Sequence, residues 1–418
     1  MKAAIDWRTR YEALGEELLR TAATAKPLLA GFNAFVDAIY PVGADILQRL
    51  QAEAATPGRG DATGPRIAAE ILARVGDGRG GALCLNWPDG PAWADRLFGE
   101  PVALQLGGTG PQAAWALATL GAPAIVALTD RSREQLSVMP PGVKISEAGR
   151  LVGARELAPA TPPRKPRNIV LELTEGTAWP GGRVRRSTRI MLRFIDSGIE
   201  RDESFAREAA ARASEASACL VAGLDSIHED DRESVPWLLS LLAALRKNGL
   251  RHAHLELAEF PREGRMEELC TAFGGVADSV GMSLSELGML TGQGDRPVAA
   301  AREVAARHGF DRVFVHADDW ALVVHRADAP RQVATLMAGN LLASARAYLG
   351  RPSPTLAIAP DAVFHDGIPS SGNLDGGWRA DCVPSPYLKR PRATIGLGDT
   401  FVGGILLATG LPGLTADF

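Results

Sequence analysis

The chain has 418 residues, 46% of them hydrophobic, with a formal net charge of -4 and a sequence pI near 6.0. That length holds two or three domains, or one large α/β body with a smaller lobe, and the charge balance leaves no nucleic-acid footprint. Four cysteines, at 84, 219, 270 and 382, are too scattered for a disulfide framework or a metal motif and read as buried thiols of a reducing cytoplasm.

No apolar leader follows Met1, and no window reaches the roughly 18 uncharged apolar residues of a membrane span, so a soluble cytoplasmic protein is expected. Residues 6 to 30 read as one or two helices with Leu14, Leu18 and Leu19 on the apolar side. They lead into Gly31 to Tyr40, an apolar run interrupted by Asn33 and Asp37 where a strand end could meet a loop. An amide and a carboxylate there can orient a polyol, although two turn formers account for the same residues.

Helices are expected around 43 to 54 and 65 to 76, joined by Gly- and Pro-rich connections such as Pro57 to Asp61. Gly107, Gly108 and Thr109 then introduce an alanine-rich helix, 113 to 120, and an apolar strand from Gly121 to Thr129. A diglycine turn ahead of a helix can lay backbone amides against a hydroxyl or a phosphate. Strands at Lys144 to Val152, Asn168 to Leu173 and Ser187 to Phe194 surround an irregular basic connector at 159 to 168. Arg189 and Arg193 share one face by the two-residue period, and Arg193 either reaches an anionic substrate group or is solvated on an edge strand.

After Gly198 helices and short apolar strands alternate. Helices at 203 to 216, 234 to 247, 263 to 273 and 297 to 308 feed strands at 219 to 224, 252 to 258, 278 to 283 and 311 to 316, and a further strand spans 320 to 325. This is the cadence of a doubly wound α/β sheet with helices on both faces, whose ligands sit beyond the carboxyl ends of the strands. Glu256 and Glu286 fall at such ends and could hold Mg²⁺; helix caps and surface acids explain them equally. His254 reads as a packing residue or as one that supports a ligand from behind, since His252 does not give the spacing of a zinc motif. Gly339 to Gly350 is a small-residue helix that packing alone explains, and 351 to 380 read as surface loop.

Near the end, Thr394-Ile395-Gly396-Leu397-Gly398-Asp399-Thr400 reads as a strand end over 393 to 395, a glycine turn, an acid and a helix start. Amides after the glycines would favour phosphate, and Asp399 beside them could take a proton from an attacking hydroxyl. A tight turn with an Asp cap is the other reading.

Taken together, Asn33-x-x-x-Asp37, Gly107-Gly108, His254-x-Glu256, Asp278 to Gly281 with Glu286, Gly339 to Gly350 and Gly396-Leu-Gly-Asp399 resemble the ADP-dependent glucokinase and phosphofructokinase family of the ribokinase-like superfamily. The resemblance implies a large ribokinase-like domain over 1–34, 106–143 and 199–418, and a smaller, mostly β lid over 35–105 and 144–198. It implies transfer of the β-phosphoryl of ADP to a hexose or hexose phosphate, glucose or fructose 6-phosphate, with Mg²⁺ as cofactor. Asp399 would be the base, with Gly396 and Gly398 completing the catalytic turn. Ile395, Gly396, Leu397, Gly398 and Gly339 would contact the nucleotide, while Asn33, Asp37, Gly107, Gly108, Thr109 and Arg193 contact the sugar. Glu256 and Glu286 would hold the metal, mostly through water. Ser283 and Thr109 depart from the family pattern, Ala82 stands where glucokinases tend to carry a glutamate, Lys165 offers a second cation beside Arg193, and Glu175, where the phosphofructokinases are basic, would oppose an anionic substrate. An ATP-using or non-hexose kinase and a catalytically weak sugar-binding or regulatory protein are the alternatives. The expected partners are a sugar and ADP, with neither nucleic acid nor membrane, and the oligomeric state stays open.

Overall fold

A computed structural model describes residues 5–56, 63–160, 165–194, 198–228, 230–260 and 262–415. The connection at Pro57 to Asp61 and positions 161–164 of the basic connector lie outside the described residues. In chain order the strands are β1 (Leu28–Ala30), β2 (Phe35–Pro41), β3 (Gly81–Cys84), β4 (Ala103–Gly107), β5 (Ala124–Val126), β6 (Val143–Glu147), β7 (Arg150–Val152), β8 (Asn168–Leu173), β9 (Ala178–Trp179), β10 (Gly182–Arg183) and β11 (Thr188–Arg193). They continue as β12 (Ala218–Val221), β13 (Ala253–Glu256), β14 (Ser279–Ser283), β15 (Arg312–His316), β16 (Trp320–His325), β17 (Gly372–Asn373) and β18 (Arg379–Pro384). The helices are α1 (Trp7–Thr21), α2 (Ala44–Ala54), α3 (Thr63–Asp77), α4 (Gly90–Phe98), α5 (Thr109–Thr119), α6 (Arg133–Val138) and α7 (Glu203–Arg212). After them come α8 (Ser234–Lys247), α9 (Arg265–Phe273), α10 (Leu284–Thr291), α11 (Pro297–His308), α12 (Ala329–Leu349) and α13 (Leu397–Thr409).

The large sheet has 11 strands in the order β17-β18-β16-β15-β14-β13-β12-β1-β5-β6-β7. Its centre, from β6 through β1 to β15, is parallel, and both edges turn antiparallel. The central strands are continuous apolar runs, as in Ala-Cys-Leu-Val of β12 and Ala-Ile-Val of β5, because helices bury both faces. One core packs α1, α5, α12 and α13 on one side, and the other packs α7 to α11 on the opposite side. From β1 the chain first winds toward β5 and later returns to β12 on the other flank, so β1 and β12 bound the topological switch point.

The small sheet has 5 strands in the order β3-β11-β8-β2-β4. Its outer face is covered by α2, α3 and α4 through Tyr40, Leu47, Ile71, Trp93 and Phe194. The inner face offers Ile39 and Val170, which pack on Ile395 of the large domain. The small sheet therefore lies closed over the glycine turn.

Several expectations change. Residues 144 to 152 do not join the small sheet: Val143 and Ile145 bury into the large core, and Ala148 (φ 48) with Gly149 (φ 76) closes the β6–β7 hairpin at its edge. Residues 393 to 395 are not a strand, since the amides of Thr394 and Ile395 are taken by the Glu172 carboxylate instead of a neighbouring strand. The loop expected over 351 to 380 contains β17 and enters β18, and the helix expected from Gly339 begins at Ala329, where Asp328 caps it. Cys84 is exposed, whereas Cys219, Cys270 and Cys382 are buried.

Candidate active site

The site forms where the small sheet closes over the switch point. Asn33 follows β1 and is buried; its Nδ2 donates to the Gly223 carbonyl (3.2 Å) and to Ser226 Oγ (2.7 Å), just beyond β12. Its Oδ1 is buried and has no hydrogen-bond partner among the described residues. Asp37, on β2, is equally buried and accepts from Asn168 Nδ2 at 2.8 Å. Burial pushes the Asp37 carboxyl up to about 6, with Asn168 and Arg193 opposing the shift and Asp399 adding to it. The diglycine is explained by these two residues. A Cβ on Gly107 would strike the Asp37 carboxylate, and one on Gly108 (φ 93) would strike the Asn33 carbonyl.

Gly396 (φ 72) is the left-handed cap that turns the chain into α13, and Asp399 lies in the first turn of that helix. Burial raises the Asp399 carboxyl above its ordinary value, against the pull of Arg346, the Thr109 hydroxyl and Arg189. Thr109 thus meets the expected base, a relation that the sequence did not reveal. Leu397 and Gly398 are half-buried at the head of α13, while Ile395 is sealed against the small sheet.

Glu256 ends β13 and is held by His254 Nε2 (3.0 Å) and His316 Nε2 (3.6 Å). Burial would raise its carboxyl, but the two imidazoles more than offset this and hold it below the usual range. His254 in turn meets Ser279 Oγ through Nδ1 at 2.7 Å, so this packing histidine orients a site carboxylate. Glu286 and Ser283 form a capping box at the start of α10, with the Ser283 amide donating to Glu286 Oε2 at 2.6 Å. Burial first, and Glu256 among the lesser causes, raise the Glu286 carboxyl. Two such oxygen donors suit Mg²⁺ held through retained water. Among the described residues, no three acidic, histidine or cysteine side chains gather as a metal cage.

Arg193 reaches inward but is ion-paired with Asp225 (2.5 Å) and lies over the Phe35 ring. Lys165 flanks the same ring, donates to the Ala34 carbonyl (3.2 Å) and pairs with Glu200. Glu175 pairs with Lys389 at 3.3 Å. Ala82 lies on the edge strand β3, whereas the central strand β8 carries Glu172. Gly339, expected at the nucleotide, is enclosed between α12 and α13, where a Cβ would sit 2.6 Å from Phe401.

Three residues of the site escaped sequence reasoning. His316 ends β15 beside Glu256 and Gly398, the strand-end position that singled out Glu256. Glu172 carries only the strand alternation of β8, and Arg346 is the second of two arginines in a small-residue helix. Arg189, directly across from Glu172, makes no ion pair with the described residues.

A family model described as the ADP-specific Phosphofructokinase/Glucokinase conserved region matches residues 26–364. Among solved structures, an ADP-dependent kinase in complex with fructose-6-phosphate and ADPβS superposes with TM-score 0.79 at 16% identity, covering 98% of this chain and 99% of that one. A last common ancestor of ADP-dependent phosphofructokinases from Methanosarcinales gives 0.71 at 17% identity, covering 97% and 98%. A phosphofructokinase from Pyrococcus horikoshii OT3 with AMP gives 0.70 at 17%, covering 93% and 98%. These likenesses establish the fold. No curated protein matches the chain. Among the described residues, no helix is long and apolar enough to cross a membrane.

Proposed function

The chain belongs to the ADP-specific phosphofructokinase/glucokinase family and is an ADP-dependent sugar phosphotransferase, and from that premise we propose how its own residues carry the reaction. The observation that carries this reading is Asp399, a desolvated carboxyl at the head of α13 with Arg346, Thr109 and Arg189 around it. The acceptor hydroxyl is oriented by Asn33 and Asp37. Its oxygen attacks the β-phosphorus of ADP as the bond to the oxygen bridging the α- and β-phosphorus breaks. The hydroxyl proton passes to Asp399, and AMP leaves with the electron pair of the broken bond.

The amides of Leu397 and Gly398, at the positive end of α13, face the phosphoryl charge that develops. Glu256 and Glu286 would hold Mg²⁺, which when bound neutralises phosphate oxygens. His254 and His316 keep Glu256 ionised and fixed for that task. The closed small sheet excludes water that would hydrolyse ADP.

The acceptor is a hexose or hexose phosphate, with fructose 6-phosphate and glucose as the leading pair. A phosphorylated hexose would engage Arg193 and Lys165. A neutral hexose is the second reading, favoured because Asp225 and Glu200 already compensate both cations. Cysteines that form no disulfide among the described residues suit a cytoplasmic enzyme.

The test is a grid of ADP and ATP against glucose, fructose 6-phosphate, ribose and nucleosides with Mg²⁺, reading AMP or ADP release. AMP formation that depends on one hexose supports the reading and names the acceptor. Turnover with ATP alone overturns the donor assignment.

A further inference from the structure

Arg346 is the largest fully buried side chain, 1% exposed, and stands in the last turn of α12. A cation there would ordinarily complement the helix dipole from the solvent side; this one is sealed beneath the glycine turn. Its guanidinium lies so close against Gly396 that any Cβ on that residue would collide with it. Nη1 donates to Thr400 Oγ1 at 3.0 Å, and the Thr400 hydroxyl donates to the Gly396 carbonyl at 2.7 Å. On the α5 side, the guanidinium carbon is 5.7 Å from the centroid of the Trp115 ring.

The remaining edge of the group, Nε and Nη2, has no hydrogen-bond partner, and Arg346 forms no ion pair within 4 Å among the described residues. Asp399, Asp37 and Glu172 act on it only through space, as does Arg189 with the opposite sign. Burial lowers its pKa to about 10, still far above neutrality, so the charge persists. A buried guanidinium with no contact ion pair is costly, and apolar residues would fill the same volume more stably. The cost is offset if the anion that this charge faces arrives only with the substrate.

We propose that Arg346 is the fixed positive charge behind the phosphoryl-binding turn: a positioning residue that acts through Gly396 and the head of α13 on the group being transferred. It locks the left-handed conformation of Gly396 through Thr400 and adds a full charge behind the partial charges of the helix amides. It touches neither sugar nor nucleotide base. Its field is felt most where negative charge builds on the phosphoryl group between ADP and acceptor. This inference rests on the ADP-kinase reading, which wild-type AMP formation tests separately.

The experiment compares R346M and R346K with wild-type protein, measuring melting temperature, Kd for AMP and for ADP, and kcat. R346M removes the charge and keeps an apolar chain of similar length. It is expected to melt no lower than wild type, to bind AMP within about threefold, to lose the extra affinity for ADP over AMP, and to lose kcat on the order of 100-fold. R346K keeps a charge and is expected to retain kcat within about tenfold. A strap between α12 and α13 would behave oppositely. If R346M melts markedly lower or does not fold, Arg346 is structural and the proposal is overturned. It is overturned equally if R346M keeps wild-type kcat, if AMP and ADP weaken in parallel, or if R346K falls as far as R346M. A wild-type protein that forms no AMP from ADP would instead remove the premise.

Discussion

The carboxylate of Glu172, on the central strand of the small sheet, accepts from the Thr394 hydroxyl at 2.8 Å and from the Ile395 amide at 3.2 Å. The two residues ahead of the glycine turn are thus held by the closing sheet, and closure also sets the turn. Glu172→Gln keeps an acceptor but loses the charge that strengthens these bonds. It is expected to lower kcat about tenfold while acceptor KM moves less than threefold, checked by steady-state kinetics. Amide exchange at Ile395 to Gly398 should quicken in the same variant; unchanged exchange would sever the turn from the sheet.

Asp399→Asn removes the proposed proton acceptor and preserves shape. Turnover is expected to fall on the order of 10³-fold, within the range of general base catalysis, with ADP affinity within a few-fold. AMP release and calorimetric binding measured side by side check this. A variant with wild-type turnover would strip Asp399 of its role.

The pH dependence follows from burial. If Asp399 is the base proposed above it must be ionised to act, and its carboxyl is raised, so kcat should climb as pH rises through that raised value. The Thr109 hydroxyl favours the ionised form and lowers the pKa. Thr109→Val should therefore move the acidic limb of the kcat profile to higher pH, and a limb that stays or moves down contradicts the contact.

Asp37 ties binding to stability. Its folded value of about 6 exceeds the ordinary 3.8, so its contribution favours folding below pH 4 and is lost as pH rises through 6. At pH 8 the buried charge costs on the order of 3 kcal/mol, taking about 1.4 kcal/mol per unit. Asp37→Asn should raise the melting temperature at pH 8, change it little at pH 4, and raise acceptor KM. Thermal melts at the two pH values decide this.

Gly339→Ala separates packing from nucleotide contact at that residue. A methyl 2.6 Å from Phe401 overpacks the crossing of α12 and α13, and should cost about 1 to 3 kcal/mol. Denaturant unfolding checks the loss, and ADP affinity should stay within about threefold.

The parallel core was legible because its strands are apolar throughout, and Glu256 stood out because it ends one of them. The hidden parts were long-range pairings. Thr109 follows the diglycine in sequence, yet its meaning comes from Asp399, about 290 residues away. The β6–β7 hairpin alternates as a strand of either sheet would, so only packing of Val143 and Ile145 assigns it. Arg346 carried the weakest signal: nothing local distinguishes a sealed arginine from a solvated one.

The interleaved small sheet also sets an order of assembly during synthesis. β2 and β4 can pair early, but β3 has β11 as its one strand neighbour. About 100 residues separate Cys84 from Thr188, so at ribosomal speeds of roughly 5 to 20 residues per second β3 stays unpaired for about 5 to 20 s. For that interval the nascent chain presents a bare strand edge, the stretch where a chaperone or an unwanted strand would first find it.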